Sequence, residues 1–178
     1  IFIKSTIEEL FFRGIIFQSL ITRFNEVIIV LILSIIFSIG HLANPEYSIM
    51  AFINIFLANI LMSLLYLRTL SLWMPVAFHF SWNWAQQLFL GSPVSGYDFG
   101  MDYIQLDFGA IPESLRWLIG GYFGVEEGFL TTLILIAAII LVPRYTKISA
   151  YVSAAIFKRD YAEAELIHGN ESSMNNNV

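Results

Sequence analysis

Apolar residues along this chain come in long runs, and polar residues are confined to short interruptions between them. Five runs stand out: 1–23, 27–43, 49–67, 72–90 and 128–142. A helix needs about 20 apolar residues to cross the hydrocarbon of a bilayer. Where every face is apolar, periodicity discriminates poorly, so length and punctuation carry the assignment. Asn25 and Glu26 predict a tight turn. Asn44-Pro45-Glu46 predicts another, since proline disfavours helix at the residue before it. Arg68 closes the third run. Pro75 falls in the first turn of the fourth, where proline is tolerated, and Pro143 and Arg144 close the fifth. Residues 91–127 form a long connection rich in Gly, Pro, Asp and Tyr. Within it, Pro112-Glu113-Ser114 predicts the start of a short interfacial helix reaching Trp117. Residues 145–159 read as a mildly basic amphipathic stretch, and the polar chain from about Asp160 as disordered.

The expected fold is all-α, a polytopic transmembrane helix bundle with about five spans. Residues 1–142 would be the membrane domain and 143–178 an amphipathic and disordered cytoplasmic tail. Composition supports this reading. Hydrophobic residues make up 57% of the 178 and charged residues 13%, against about 45–50% and about 25% in soluble domains. The net charge of −5 gives no footing for a nucleic-acid partner. With no cysteine, disulfide frameworks and thiolate metal sites are excluded. The apolar start has neither a charged n-region nor a small-residue cleavage site, so it is not a signal peptide. It reads as the C-terminal fragment of a longer membrane protein.

Basic residues set the expected orientation. The ends of the first, third and fifth runs share one side, with Arg23, Arg68, Arg144, Lys147, Lys158 and Arg159. Lys4 and Arg116 fall on the other, with the acidic loop of Asp98, Asp102, Asp107, Glu113, Glu126 and Glu127. Lys and Arg favour the cytoplasmic side. The C-terminus is therefore expected in the cytoplasm, Ile1 outside, and at least one further span upstream.

Ionisable groups inside apolar runs are the candidate chemistry, because a charge in hydrocarbon is costly unless it is paired or lines a wet cavity. Glu8, Glu9 and Arg13 place three charges within six residues. Glu9 and Arg13 are four apart, on one helix face and in the favourable order. A guanidinium keeps its proton and can hold a carboxylate with two hydrogen bonds, so Glu9 is the expected structural partner. Glu8 points about 100° away, with Phe12 at its own i+4 position and Lys4 at i−4. Read as unpaired, Glu8 suits general-base work. The bland alternative is a Glu–Arg network that only ties helices together. His79 and Asn83 are also four apart, on one face of the fourth run. His41 lies one turn after Phe37 at the end of the second, and the third histidine, His168, is in the tail. Asn44 reads as turn chemistry, and Asn54 and Asn59 as interhelical hydrogen-bond partners. By depth, Glu8, His41 and Asn83 fall in the outer half and His79 nearer the middle.

Glu8-Glu9-x-x-x-Arg13, then Phe37-x-x-x-His41, then His79-x-x-x-Asn83 resembles the three signature motifs of the CAAX protease and bacteriocin-processing family of intramembrane proteases, which includes abortive-infection proteins. Order, internal spacing and placement on successive runs all match. The glycine-rich stretch from Trp117 to Gly128 resembles a C-terminal feature of bacterial members. The likeness covers about residues 1–142. It implies a peptidase of about eight spans, of which this chain would hold the last five. It further implies that Glu8 activates the attacking water with help from His41, that His79 and Asn83 stabilise the oxyanion, and that Glu9, Arg13 and Phe37 support the site. The implied partners are the lipid bilayer and a peptide or membrane-protein substrate, in a bacterial plasma membrane. No cofactor is favoured. Zinc held by Glu8, His41 and His79 stays open, although there is no His-Glu-x-x-His and Asn is a poor zinc ligand. The expected orientation puts the site nearer the outer half, which suits trimming of a secreted peptide, bacteriocin leader or membrane protein better than prenylated tails at the cytoplasmic face. Two other readings of the same residues are a non-catalytic immunity or partner-binding protein and an ion-coupled transporter. Against the transporter, there are no paired broken helices and no inverted repeat.

Overall fold

A computed structural model describes residues 1–100, 110–147, 153, 154, 158–160 and 162. The described residues are helical apart from turns and two isolated bridges, Val94 with Tyr97 and Gly121 with Gly124. The first helix runs without a break through α1 (Phe2–Glu9), a π-helical segment (Leu10–Phe17) and α2 (Gln18–Leu20). Then come α3 (Glu26–Ile39), α4 (Ile49–Thr69), α5 (Trp73–Leu90), α6 (Glu113–Ile119), a 3₁₀ turn (Val125–Glu127) and α7 (Phe129–Tyr145). Helix starts follow capping chemistry. The Asn25 side chain accepts from the Val27 amide at 2.9 Å, and Ser48 accepts from the Ala51 amide at 3.1 Å.

α4 is the central element, packed against α3, α5, α7 and the 3₁₀ turn, while α1 lies on α5. Phe17, Ile29, Val30, Leu33, Tyr66 and Leu67 form one apolar cluster. Phe37, Ala51, Ile55 and Phe123 form another. The distribution around these clusters is inside-out. Glu9, Arg13, Ser34, Asn54, Asn59, Ser63, Gln86 and Gln87 are buried, whereas Ile3, Ile15, Ile28, Ile49 and Ile140 are more than half exposed. Water would reward the opposite sorting. Lipid rewards this one, because polar groups hold helices together where no hydrophobic contrast exists between them.

Five helices occupy the five apolar runs in order, but only Ile49–Thr69 is both long and apolar enough to cross a membrane by itself. At 1.5 Å per residue, the 14 residues of α3 and 17 of α7 span about 21 and 26 Å, short of the ~30 Å hydrocarbon layer. In the first helix and α5 the polar residues dilute the apolar run.

Several expectations need correction. α3 ends at Ile39, so His41 sits in the turn beyond the helix rather than inside it. Pro143 lies within α7 instead of closing it. At the last turn a proline forfeits a single amide donor, so one further residue pair can follow. Asn44 does more than turn, donating across the fold to the Ser95 carbonyl at 3.0 Å. The expected tail disorder, Asp102, Asp107 and His168 lie outside the described residues. Arg159, which does not, is tied back to the bundle. It donates to the Phe24 carbonyl at 2.7 Å and lies 3.2 Å from Glu26, and Arg68 donates to the Thr146 carbonyl at 2.9 Å. Asn54 and Asn59 are interhelical partners as expected.

Candidate active site

The deepest part of the site is an ion pair inside the bundle. Glu9 closes α1 and Arg13 lies in the π segment, their Oε2 and Nη1 atoms 2.9 Å apart, with 0% and 1% of the side chains exposed. Arg13 also reaches α4, donating from Nη2 to the Asn59 carbonyl at 2.9 Å and to Ser63 Oγ at 3.4 Å. Its guanidinium sits 5.9 Å from the Phe37 ring centre. Asn59 in turn accepts from Ser34 Oγ at 3.2 Å, so α3 joins the same network. Two desolvated charges are tolerated here because each has several partners.

Glu9 uses its second oxygen on α5. His79 Nδ1 lies 2.9 Å from Glu9 Oε1. An ionised carboxylate only accepts, so Nδ1 carries a proton and Nε2 is the nitrogen left for other work. That Nε2 faces Glu8 Oε2 at 3.7 Å. The imidazole therefore stands between the two adjacent carboxylates, with one ring nitrogen toward each. The side chain of Glu8 is 22% exposed, yet its Oε2 is buried and has no hydrogen-bond partner among the described residues. Glu8 is not without a cation, which corrects the sequence reading. Lys4 Nζ approaches its Oε1 at 3.7 Å from one turn earlier. The Lys4 side chain is 48% exposed, and a pair this open and long is worth little.

His41, His79 and Asn83 line one cavity of about 40 Å³, together with Phe37. Phe37 separates the imidazoles, its ring centre 4.8 Å from that of His41 and 6.2 Å from that of His79. The backbone carbonyl of Phe37 holds His41 Nδ1 at 2.8 Å, which fixes that nitrogen as the donor and leaves Nε2 free. This gives the four-residue spacing from Phe37 to His41 a physical reason. Asn83 points its amide toward Ser5 Oγ of α1 at 3.5 Å. Of the expected residues, Glu9, Arg13, Phe37, His41, His79 and Asn83 thus form a continuous set. Glu8 joins it through His79, not through His41.

The far wall of the cavity uses residues to which the sequence reading gave no role there: Asn54, Ser95 and Glu126. The signal was present as two carboxylates within the glycine-rich stretch 120–128. Gly120 and Gly124 both have φ of 111°, a conformation open to glycine, and it turns the chain so that Glu126 faces inward.

Among the described residues no three of His, Asp and Glu gather as metal ligands. His79 Nδ1 is taken by Glu9 and His41 Nδ1 by a carbonyl, which leaves Nε2 free on each ring.

Residues 1–85 match the family described as Type II CAAX prenyl endopeptidase Rce1-like. The match covers 85 of the 178 residues and makes this part of the chain similar to the Rce1-like family. The matched segment carries Glu8, Glu9, Arg13, Phe37, His41, His79 and Asn83. The Rce1-like family is a family of membrane proteases. No curated protein and no solved structure matches the chain. Ser95 and Glu126, on the far wall of the cavity, lie beyond the Rce1-like segment.

Proposed function

We propose that the protein is an intramembrane endopeptidase that cleaves a membrane-associated or lipidated protein or peptide, with Glu8 activating the attacking water. The supporting observation is the His79 imidazole set between Glu8 and Glu9. In this reading the water oxygen bonds to the substrate carbonyl carbon while its proton passes to Glu8. The oxyanion that forms meets His79 and Asn83, and His41 assists in orienting the water. For His79 to donate from Nε2 it must carry protons on both ring nitrogens, and Glu9 opposite Nδ1 is then its counter-ion. Collapse breaks the carbon–nitrogen bond, and Glu8 returns the proton to the leaving amine. No step needs a metal. Residues 1–142 would form the membrane domain of about five spans in a bacterial plasma membrane, with the C-terminus cytoplasmic.

The experiment is cleavage of a membrane peptide, beginning with a farnesylated CAAX peptide and a panel of bacteriocin leaders, by the wild type and Glu8→Gln. Loss of turnover with unchanged expression is expected, and retained turnover in Glu8→Gln would remove the main assignment. A second reading, a non-catalytic partner-binding protein, is favoured by the Arg13 network, which joins the first helix to α4 and reaches α3 through Asn59, as a purely structural cluster would. Under that reading Glu8→Gln leaves any protective phenotype of the protein unchanged.

A further inference from the structure

The cavity behind the two histidines has a second polar end. Glu126 Oε2 accepts from the Ser95 amide at 2.9 Å and from Ser95 Oγ at 2.8 Å, and its Oε1 accepts from Gln86 Nε2 at 3.2 Å. Among the described residues Glu126 has no ion-pair partner, although it is 8% exposed. Ser95 adopts a left-handed backbone with φ of 51° to bring its amide there. That conformation is costly for a non-glycine residue and persists only where the surroundings enforce it. Asn54 pins the same corner, donating to the carbonyls of Glu126 at 2.7 Å and Gly128 at 3.0 Å and accepting from Thr132 Oγ1 at 2.7 Å.

Size decides what such a cavity can take. About 40 Å³ is room for roughly three or four waters at about 10–15 Å³ each, and far below the ~150 Å³ of a cavity that accepts benzene. A substrate side chain does not fit without movement. Water stays where it finds polar partners. Here His41, His79 and Asn83 line the cavity together with Asn54, Ser95 and Glu126. A carboxylate without a cation also keeps its charge at lower cost when hydrated. Hydrolysis among apolar helices consumes one water per turnover, and that water needs a store.

We propose that Glu126 is a positioning residue that holds water in this cavity and passes it to the end formed by His41, His79 and Asn83. The use of that water rests on the endopeptidase reading; its presence does not. Hydroxyl-radical footprinting of the full chain in detergent tests the presence. Met62 lines the cavity and is only 3% exposed, so radicals reach it by way of cavity water. In the wild type Met62 should be modified within about tenfold of the rate at the exposed Tyr97. Glu126→Leu should cut the Met62 rate at least fivefold with Tyr97 unchanged. Glu126→Gln, which keeps an acceptor for Ser95 and preserves the fold if the leucine does not, should cut it at least twofold. An unmodified Met62 in the wild type, or an unchanged rate in Glu126→Gln, overturns the proposal. On a cleaved peptide, Glu126→Gln should lower kcat about tenfold at constant KM. Unchanged kcat with reduced labelling would overturn the supply role. If the wild type cleaves nothing, the endopeptidase reading fails and labelling alone decides the cavity's content.

Discussion

Glu9 holds His79 at 2.9 Å with one carboxylate oxygen and Arg13 at 2.9 Å with the other. A single acid therefore fixes an imidazole on α5 and a guanidinium in the π segment, and the guanidinium is fastened to α4. The two adjacent glutamates differ through this. Glu9 is wholly enclosed, while Glu8 keeps a partly open side chain and an unpartnered oxygen.

Removing one partner of an enclosed ion pair leaves a bare charge and costs about 3–5 kcal/mol. Glu9→Gln and Arg13→Met should each lose that much in unfolding measured in detergent. Glu8→Gln should lose less than about 1 kcal/mol, because its Lys4 partner is open to solvent. Equal losses at positions 8 and 9 would contradict the division between them.

Asn54→Ala strips hydrogen bonds from the carbonyls of Glu126 and Gly128 and from Thr132. Each orphaned group costs about 1–3 kcal/mol. The substitution should destabilise the protein by at least about 2 kcal/mol and speed amide hydrogen exchange over 121–128. Unchanged exchange there would show that α7 alone holds the segment.

Glycine is required at position 124 on two counts. Its φ of 111° with ψ near −173° is a glycine conformation, and a methyl group there would run into the Pro93 carbonyl oxygen. Gly124→Ala should cost at least about 3 kcal/mol. Gly100→Ala, at φ of 61° with open space around it, should cost about 1 kcal/mol. Melting curves of the two variants measure the difference.

Metal dependence is checked by elemental analysis and chelation. Purified protein should hold no stoichiometric zinc, and a chelator should leave cleavage unchanged. Zinc at one equivalent that is lost in His79→Ala would overturn the metal-free scheme.

The sequence made the helices legible because long apolar runs leave few other choices. It also made Glu9 with Arg13 legible, since a four-residue spacing is a contact on any helix of this kind. His79 with Glu9 was not legible, because no local rule says which of two adjacent carboxylates meets a residue 70 positions away. Lys4 stands at the correct spacing to meet Glu8, but an exposed pair at 3.7 Å is too loose for spacing alone to give it weight. His41 fell outside its helix because a run of apolar residues continues past the point where Gly40 and the turn take over. Glu126 was hidden in a connection whose composition reads as loop, and its role depends on backbone angles at Gly120 and Gly124 that composition only hints at.

The π-helical segment Leu10–Phe17 separates the two acids from the rest of the first helix. Such segments hold one more residue per turn of bonding than an α-helix does. Were residues 10–17 to tighten into ordinary α-helix with no residue removed, everything before them would swing by about 100°. The acid doublet would then face away from α5, in a chain that still carries every motif and the same hydropathy. Spacing along the sequence would survive, and the rotational phase that aims the carboxylates would not.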